Sequence, residues 1–312
     1  MKGLELSRQF YETYGVPMLE EQFADLLPHL AVGLVGSGSE CLGYDDALSQ
    51  DHDFEPGFCL FLPGEEVVDS RRAFALERAY AKLPKEFLGF TRVPLSPVGG
   101  NRHGVLRLPE FLTAKTGHPQ GVLGLQDWLT IPEQSLAEVT GGDLFRDDGG
   151  VFTAIRATLR YLPEEVRQKK LAGRLWEMGQ AGQYNYGRCI ARGETGAAQL
   201  AVGQFVHAAI HAIHLLGRAY LPYYKWQFRG MQGLPLGHLA ADLERLLSTG
   251  NTPEEAQEKS RRIEMVCAAI GAQVRAQGLS DHQGDTMEGL AYGVNNRIPV
   301  EKLRNLHILA GI

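Results

Sequence analysis

The sequence predicts an α/β (α+β) N-terminal domain over residues 1–120 and an all-α helical bundle over residues 121–312. Short apolar runs of strand length alternate with helix-like patterns in the first part of the chain. Beyond Gln126 the periodicity turns helical and stays so. The chain has 312 residues, 44% hydrophobic and 22% charged, enough for two domains with substantial cores.

In chain order, Leu4–Pro28 reads as one or two helices with a break near Gly15–Pro17. Leu30–Val35 reads as a buried strand, followed by two Gly-Ser pairs and a helical turn within Glu40–Leu48. The apolar run Phe58–Leu62 reads as another strand, and Glu65–Leu83 as an amphipathic helix closed by Pro84. Phe87–Val93 and Arg102–Leu108 read as strands on either side of a Pro/Gly loop, Pro94–Asn101. Gly117–Gly124 reads as a linker. Val151–Tyr161, Glu164–Gln180, Gly196–Ala219, His238–Ser248, Pro253–Gln277 and Val300–Ala310 read as helices, with Pro163 and Pro253 at helix starts, where a missing N–H costs little. A cleft between the two domains is the expected place for an active site.

Composition narrows the function classes. A net charge of −6 argues against a general nucleic-acid surface. No apolar run approaches a membrane span, and the N-terminus is polar and amphipathic, unlike a signal peptide. Cys41, Cys59, Cys189 and Cys267 form no CxxC and read as buried thiols of a cytoplasmic protein.

The chain is organised around Gly36–Asp53, GSGSECLGYDDALSQDHD. Gly36, Ser37, Gly38 and Ser39 offer close backbone approach, successive N–H groups and hydroxyls, which together make a nest for phosphate oxygens. A helical turn after them adds a helix N-terminus. Asp51 and Asp53 project to the same face of an extended backbone and suit Mg²⁺ carrying a nucleoside triphosphate. A competing reading makes Ser37 and Glu40 a capping box and the aspartates loop solvation. Asp45 and Asp46 read as cap or turn residues, against orienting metal-bound water or holding the Gly-Ser loop, and His52 faces away from its two neighbours.

This pattern resembles that of the nucleotidyltransferase superfamily with the polymerase-β-like fold: an apolar strand, Gly-Ser, a spacer, then Asp-x-Asp before apolar residues. The full run GSGSECLGYDDALSQDHDFEPGFCLFL, with GQYNYGRC at Gly182–Cys189 and YLPYYKW at Tyr220–Trp226, resembles an uncharacterised bacterial domain-of-unknown-function family of nucleotidyltransferase-like character, from Phe10 to about Leu303. The layout is also similar to antibiotic nucleotidyltransferases and to minimal nucleotidyltransferases that modify partner proteins. The resemblance implies a mixed sheet in the first domain, Mg²⁺ on Asp51 and Asp53, ATP as substrate and an acceptor chosen by the helical domain. The superfamily's third carboxylate has no counterpart within the apolar run Val105–Leu108, and Glu110 is the nearest candidate.

In the second domain, Tyr184 or Tyr186 reads as a base-stacking ring and Arg188 as a phosphate ligand; the alternative is a helix contact with a buried tyrosine hydrogen bond. Lys225, among Tyr223, Tyr224 and Trp226, reads as the cation that neutralises departing pyrophosphate, with Arg229 one turn on, against a snorkelling surface lysine. His207, His211 and His214 share a helix face, where a polar stripe or core histidines compete with a zinc pair. The expected function is Mg²⁺-dependent transfer of AMP from ATP to a hydroxyl of a small molecule. The alternatives are a nucleotide-binding regulator with lapsed chemistry and adenylylation of a partner protein.

Overall fold

The computed structural model describes residues 1–50, 54–92, 102–284 and 286–312, so the loop expected at Pro94–Asn101 lies outside the described residues. The chain is α+β and divides into two compact units: residues 1–123 with 132–160, and residues 124–131 with 161–312.

The first unit opens with helix α1, Gly3–Phe10, which passes through a π-helical turn at Tyr11–Gly15 into α2, Val16–Gln22. The break expected near Gly15–Pro17 is instead a change of ladder. Pro17, which has no N–H to give to the ladder, sits in the first turn of α2 directly after the π-helical turn. Gly15 lets this helix lie against the core, since a Cβ there would come within 2.7 Å of the Phe58 ring.

The mixed sheet has the order β5-β2-β1-β6. Strands β1, Ala31–Leu34, and β2, Cys59–Leu62, are antiparallel and wholly buried, which is why both read as unbroken apolar runs. Between them lie the one-turn helix α3, Ser39–Leu42, and a 3₁₀ turn at Ala47–Gln50. Helix α4, Ser70–Ala81, starts later than the apolar pattern suggests, because Asp69 accepts the Arg72 N–H at 2.7 Å and caps it. The stretch expected as a strand over Phe87–Val93 is a small hairpin, β3 (Glu86–Phe87) and β4 (Phe90–Thr91). Leu88 and Gly89 between them both take positive φ, as a two-residue hairpin turn demands. Strand β5, Gly104–Arg107, runs parallel to β2 and leads directly into α5, Leu108–Thr116.

After α6, Leu125–Thr130, which belongs to the second unit, the chain returns to the first with α7, Glu133–Thr140, β6, Asp143–Asp147, and α8, Val151–Thr158. A purely helical chain beyond Gln126 is therefore not what forms. Strand β6 pairs antiparallel with β1, with a register shift at Val32/Gly33. Glycine on β1 makes the approach possible: a Cβ on Gly33 would lie 2.3 Å from the Asp143 carbonyl. Tyr11 and Tyr80 each meet the Phe58 ring edge-on in the core of this unit, with Phe58 and Tyr80 centroids 5.1 Å apart, and Phe10 packs on Phe58 at a tilt.

The second unit is helical. Helix α9, Glu164–Met178, continues through a π-helical stretch, Gly179–Tyr186, into α10, Gly187–Ala191. Its long neighbour α11, Thr195–Leu216, packs along it. Gly182 permits that contact, since a Cβ there would come within 2.4 Å of the Phe205 ring. Among the described helices α11 alone has the length and apolarity of a bilayer span, but 67% of its most apolar window is buried in the protein, the situation of a core helix. A 3₁₀ turn at Tyr224–Trp226, α12 (Gln227–Gly230) and α13 (Ala240–Ser248) follow. Then come α14 (Pro253–Ala276), started by a capping box between Thr252 and Glu255, α15 (Met287–Asn296) and α16 (Glu301–Arg304).

Candidate functional site

A cavity of about 690 Å³ opens in the first unit beside the sheet edge formed by β5. Its wall takes Gly36 and Ser37 from the loop after β1, Arg102 and His103 from the approach to β5, and Glu110 and Lys115 from α5. Phe74 and Glu77, on one face of α4, close another side.

The loop owes its shape to glycine. Gly36 has φ +132° and Gly38 φ +135°, a region closed to side-chain-bearing residues at ordinary cost. Among the described residues, no acceptor takes the backbone N–H groups of Gly36, Ser37 or Gly38. Consecutive backbone donors of this kind are able to bind an anionic group. Ser39 begins α3, and Gly38 rather than Ser37 is its N-cap. The capping box between Ser37 and Glu40 does not form. The Glu40 carboxylate goes instead to Arg102, whose guanidinium also donates to the Ser37 carbonyl at 2.8 Å.

Glu110 lies in the first turn of α5, not on a strand, and faces the same cavity as Gly36 and Ser37. Among the described residues neither Glu110 nor Glu77 has an ion-pair partner. Lys115 is held by Glu138, and Arg107 spends its guanidinium on the carbonyls of Pro63 (2.8 Å) and Val68 (2.7 Å). The His103 ring nitrogen Nδ1 sits 3.0 Å from the Glu55 carboxylate, which ties Phe54–Phe58 to the cavity wall. Asp51, His52 and Asp53, which immediately precede that segment, lie outside the described residues. Burial pushes the thiols of Cys41 and Cys59 up, that of Cys59 to about 12, so neither is a thiolate nucleophile at neutral pH.

The remaining residues singled out in the sequence have plain places. Asp45 is buried and accepts the N–H of Gly3 at 2.8 Å, at the start of α1. Asp46 accepts the N–H of Leu48 at 3.0 Å, a turn role. Tyr186 is 1% exposed and its hydroxyl donates to Asn251 at 3.2 Å; burial pushes its pKa up to about 12. Tyr184 is the exposed ring of the pair, with the Arg188 guanidinium 4.9 Å from its centroid. Lys225 is exposed, and it and Arg229 both lie 5.0 Å from the Trp226 ring centroid. His214 is buried, with Nδ1 2.9 Å from the Ile210 carbonyl, and His211 is buried on the same helix, α11. Among the described residues no group of three or more His, Cys, Asp or Glu side chains is gathered as a metal site.

Thus Gly36, Ser37 and Glu110 come together on one cavity, while Tyr186, Arg188, Lys225 and Arg229 belong to the second unit. Sequence reasoning gave Glu40 only a capping role and did not single out Arg102 or Phe74. Only the exposure of Phe74 on an otherwise regular helix face is a local signal, and it shows in the fold rather than in the chain.

Gly38→Val probes the loop. A β-branched residue at φ +135° is strained, and its Cβ would come within 2.1 Å of Arg102 Nη2. The variant is expected to melt a few degrees lower, from about 1–3 kcal/mol of strain. ATP affinity measured by calorimetry is expected to fall at least about tenfold, the effect of losing one or two charge-assisted hydrogen bonds. Unchanged affinity in the folded variant would remove the loop from the site.

Residues 128–227 match the family model of a domain of unknown function, DUF4037. No curated protein and no solved structure matches the chain.

Proposed function

We propose that the first unit is the catalytic unit of a Mg²⁺-dependent nucleotidyltransferase. It binds a nucleoside triphosphate, ATP in the first instance, and moves the nucleoside monophosphate to a hydroxyl of a small-molecule acceptor, releasing pyrophosphate. One observation supports this above the others. Among the described residues the backbone N–H groups of Gly36 and Ser37 engage no acceptor and Glu110 has no ion-pair partner, and these three residues line one cavity of about 690 Å³. Small-molecule sites are commonly about 300–1,000 Å³.

The donor set fits Mg²⁺. Glu77 and Glu110 bring hard carboxylate oxygens to the wall. Asp51 and Asp53 precede Glu55, whose carboxylate meets His103 on that wall. Asp51 and Asp53 are the residues that would hold the ion. Bound Mg²⁺ neutralises charge on phosphate oxygens and on the leaving group. The chain's own residues do the rest. Gly36, Ser37 and Gly38 direct N–H groups at the phosphates, and Phe74, 58% exposed on the wall, offers a face to the base. Glu110 accepts the proton of the attacking hydroxyl at its carboxylate oxygen. Holding the acceptor in line for attack on the α-phosphorus supplies most of the remaining rate.

ATP labelled at the α-phosphate, offered with a metabolite extract, tests the reaction. Label is expected in an acceptor product together with an equal amount of pyrophosphate, while label from the γ position stays out of that product. Transfer of the γ label would contradict the assignment. Tight ATP binding without transfer to any acceptor would favour the regulatory reading.

On the sequence reading Lys225, which belongs to the second unit, is the cation for departing pyrophosphate, and substitution tests that role. Lys225→Met keeps most of the stem's packing and removes the charge. Pyrophosphate release is expected to fall by roughly a hundredfold, the scale of one lost electrostatic donor, with a smaller change in ATP affinity. Full activity in this variant would return Lys225 to the role of a surface lysine stacked on Trp226.

A further inference from the structure

Arg102 reaches from the approach to β5 to the glycine-rich loop after β1. Its Nη2 donates to the Ser37 carbonyl at 2.8 Å and pairs with Glu40. The same nitrogen lies 2.1 Å from the point where a Cβ on Gly38 would stand. The guanidinium is thus laid over Gly38, next to backbone N–H groups that engage no acceptor among the described residues. Both side chains are largely withdrawn from water, at 27% exposure for Arg102 and 12% for Glu40, so their attraction is only partly screened. A planar fork of donors beside these amides matches the oxygens of a phosphate. A carboxylate in the same place repels one.

On the nucleotidyltransferase reading, we propose that Arg102 is a phosphate-binding residue of this site and that Glu40 is its exchangeable partner. In the free protein Glu40 holds the guanidinium over the loop. An arriving polyphosphate takes the guanidinium over from Glu40. Arg102 then stays paired in both states, which avoids the cost of a stranded, partly buried cation. The cost falls on Glu40, which loses its cation as negative charge arrives. Glu40 therefore sets a threshold of anionic charge. Pyrophosphate and nucleoside triphosphates have enough charge to displace it, and nucleoside monophosphates compete poorly. The site selects for the phosphate chain rather than for the nucleoside.

Calorimetry on the full chain with Mg²⁺, using pyrophosphate, ATP and AMP as probes, tests the exchange. Glu40→Gln keeps the shape and an acceptor for Arg102 but removes the competing charge. It is expected to tighten pyrophosphate binding about tenfold and to bring AMP binding within measurable range. Arg102→Met is expected to weaken pyrophosphate at least about tenfold, and Arg102→Lys to recover part of the loss as a point charge. A pair that merely braces the loop gives the opposite sign for Glu40→Gln: a lower melting temperature with equal or weaker binding. That result would overturn the assignment, and it stands even if Arg102→Met fails to fold. Wild-type binding of ATP and pyrophosphate with neither variant changed would overturn this assignment alone. Wild-type failure to bind either ligand would overturn the nucleotidyltransferase reading and this inference with it.

Discussion

Asp53→Asn is expected to lower metal-dependent label transfer by roughly a thousandfold or more, with the melting temperature of the ligand-free protein nearly unchanged. The asparagine keeps the size of the side chain but gives a divalent cation a neutral oxygen in place of a charged one. Removal of a single preorganised electrostatic group costs roughly a hundred- to a thousandfold in rate, and a metal-bridging carboxylate stands at the upper end. Asp51→Asn is expected to behave the same way. Stability should not suffer: on the reading that sets both carboxylates on one metal, removing one of them relieves repulsion when the metal is absent. Transfer and a thermal melt on the same preparation separate the two effects. Parental rates in both variants would place the metal elsewhere.

Gly33→Val is expected to have the largest effect on the fold. A Cβ at this position would lie 2.3 Å from the Asp143 carbonyl and 2.9 Å from the Leu144 Cα. Both are backbone atoms, so no rotamer change relieves the clash, and either β6 moves off β1 or the sheet distorts. Overpacking in a core costs about 1–3 kcal/mol when side chains can yield, and the cost here should exceed about 3 kcal/mol. That corresponds to a fall of roughly 6–12 °C in melting temperature. Hydrogen exchange read at Asp143–Asp147 should quicken before the rest of the sheet. An unaltered melt would mean that β6 does not pair with β1 in solution.

The same strand shows where the sequence stops being legible. Strands β1 and β2 are buried on both faces and announce themselves as apolar runs. Strand β6 is DLFRD, an edge strand with every residue half-buried. It has only two apolar residues and charge at both ends, and what places it is backbone pairing with β1 across a hundred residues of chain. The hairpin at Leu88–Gly89 was hidden for a related reason, since a leucine at positive φ has no signature in the sequence. The π-helical stretches at Tyr11–Gly15 and Gly179–Tyr186 keep an apolar spacing close enough to the α-helical one to pass for it.

The shape of the Gly-Ser loop was readable because it is local: Gly36 and Gly38 take positive φ, which glycine adopts at little cost. Glu110 was readable as a carboxylate beyond the apolar run, but its place on α5 rather than on a strand was not. Arg102 and Glu40 were invisible as a pair because they stand 62 positions apart, and only the parallel pairing of β5 with β2 brings the approach to β5 against the loop after β1. Long-range ion pairs follow from topology, which no window of sequence contains.

The central claim is that a nucleoside triphosphate sits with its phosphates on the Gly36–Gly38 loop and its metal on Asp51 and Asp53. A crystal structure of the full chain grown with Mg²⁺ and a non-hydrolysable ATP analogue tests it most directly. The account predicts phosphate oxygens within hydrogen-bonding distance of the N–H groups of Gly36, Ser37 and Gly38, and Mg²⁺ coordinated by both aspartates. An analogue bound away from this loop, or Mg²⁺ bound without either aspartate, would contradict it.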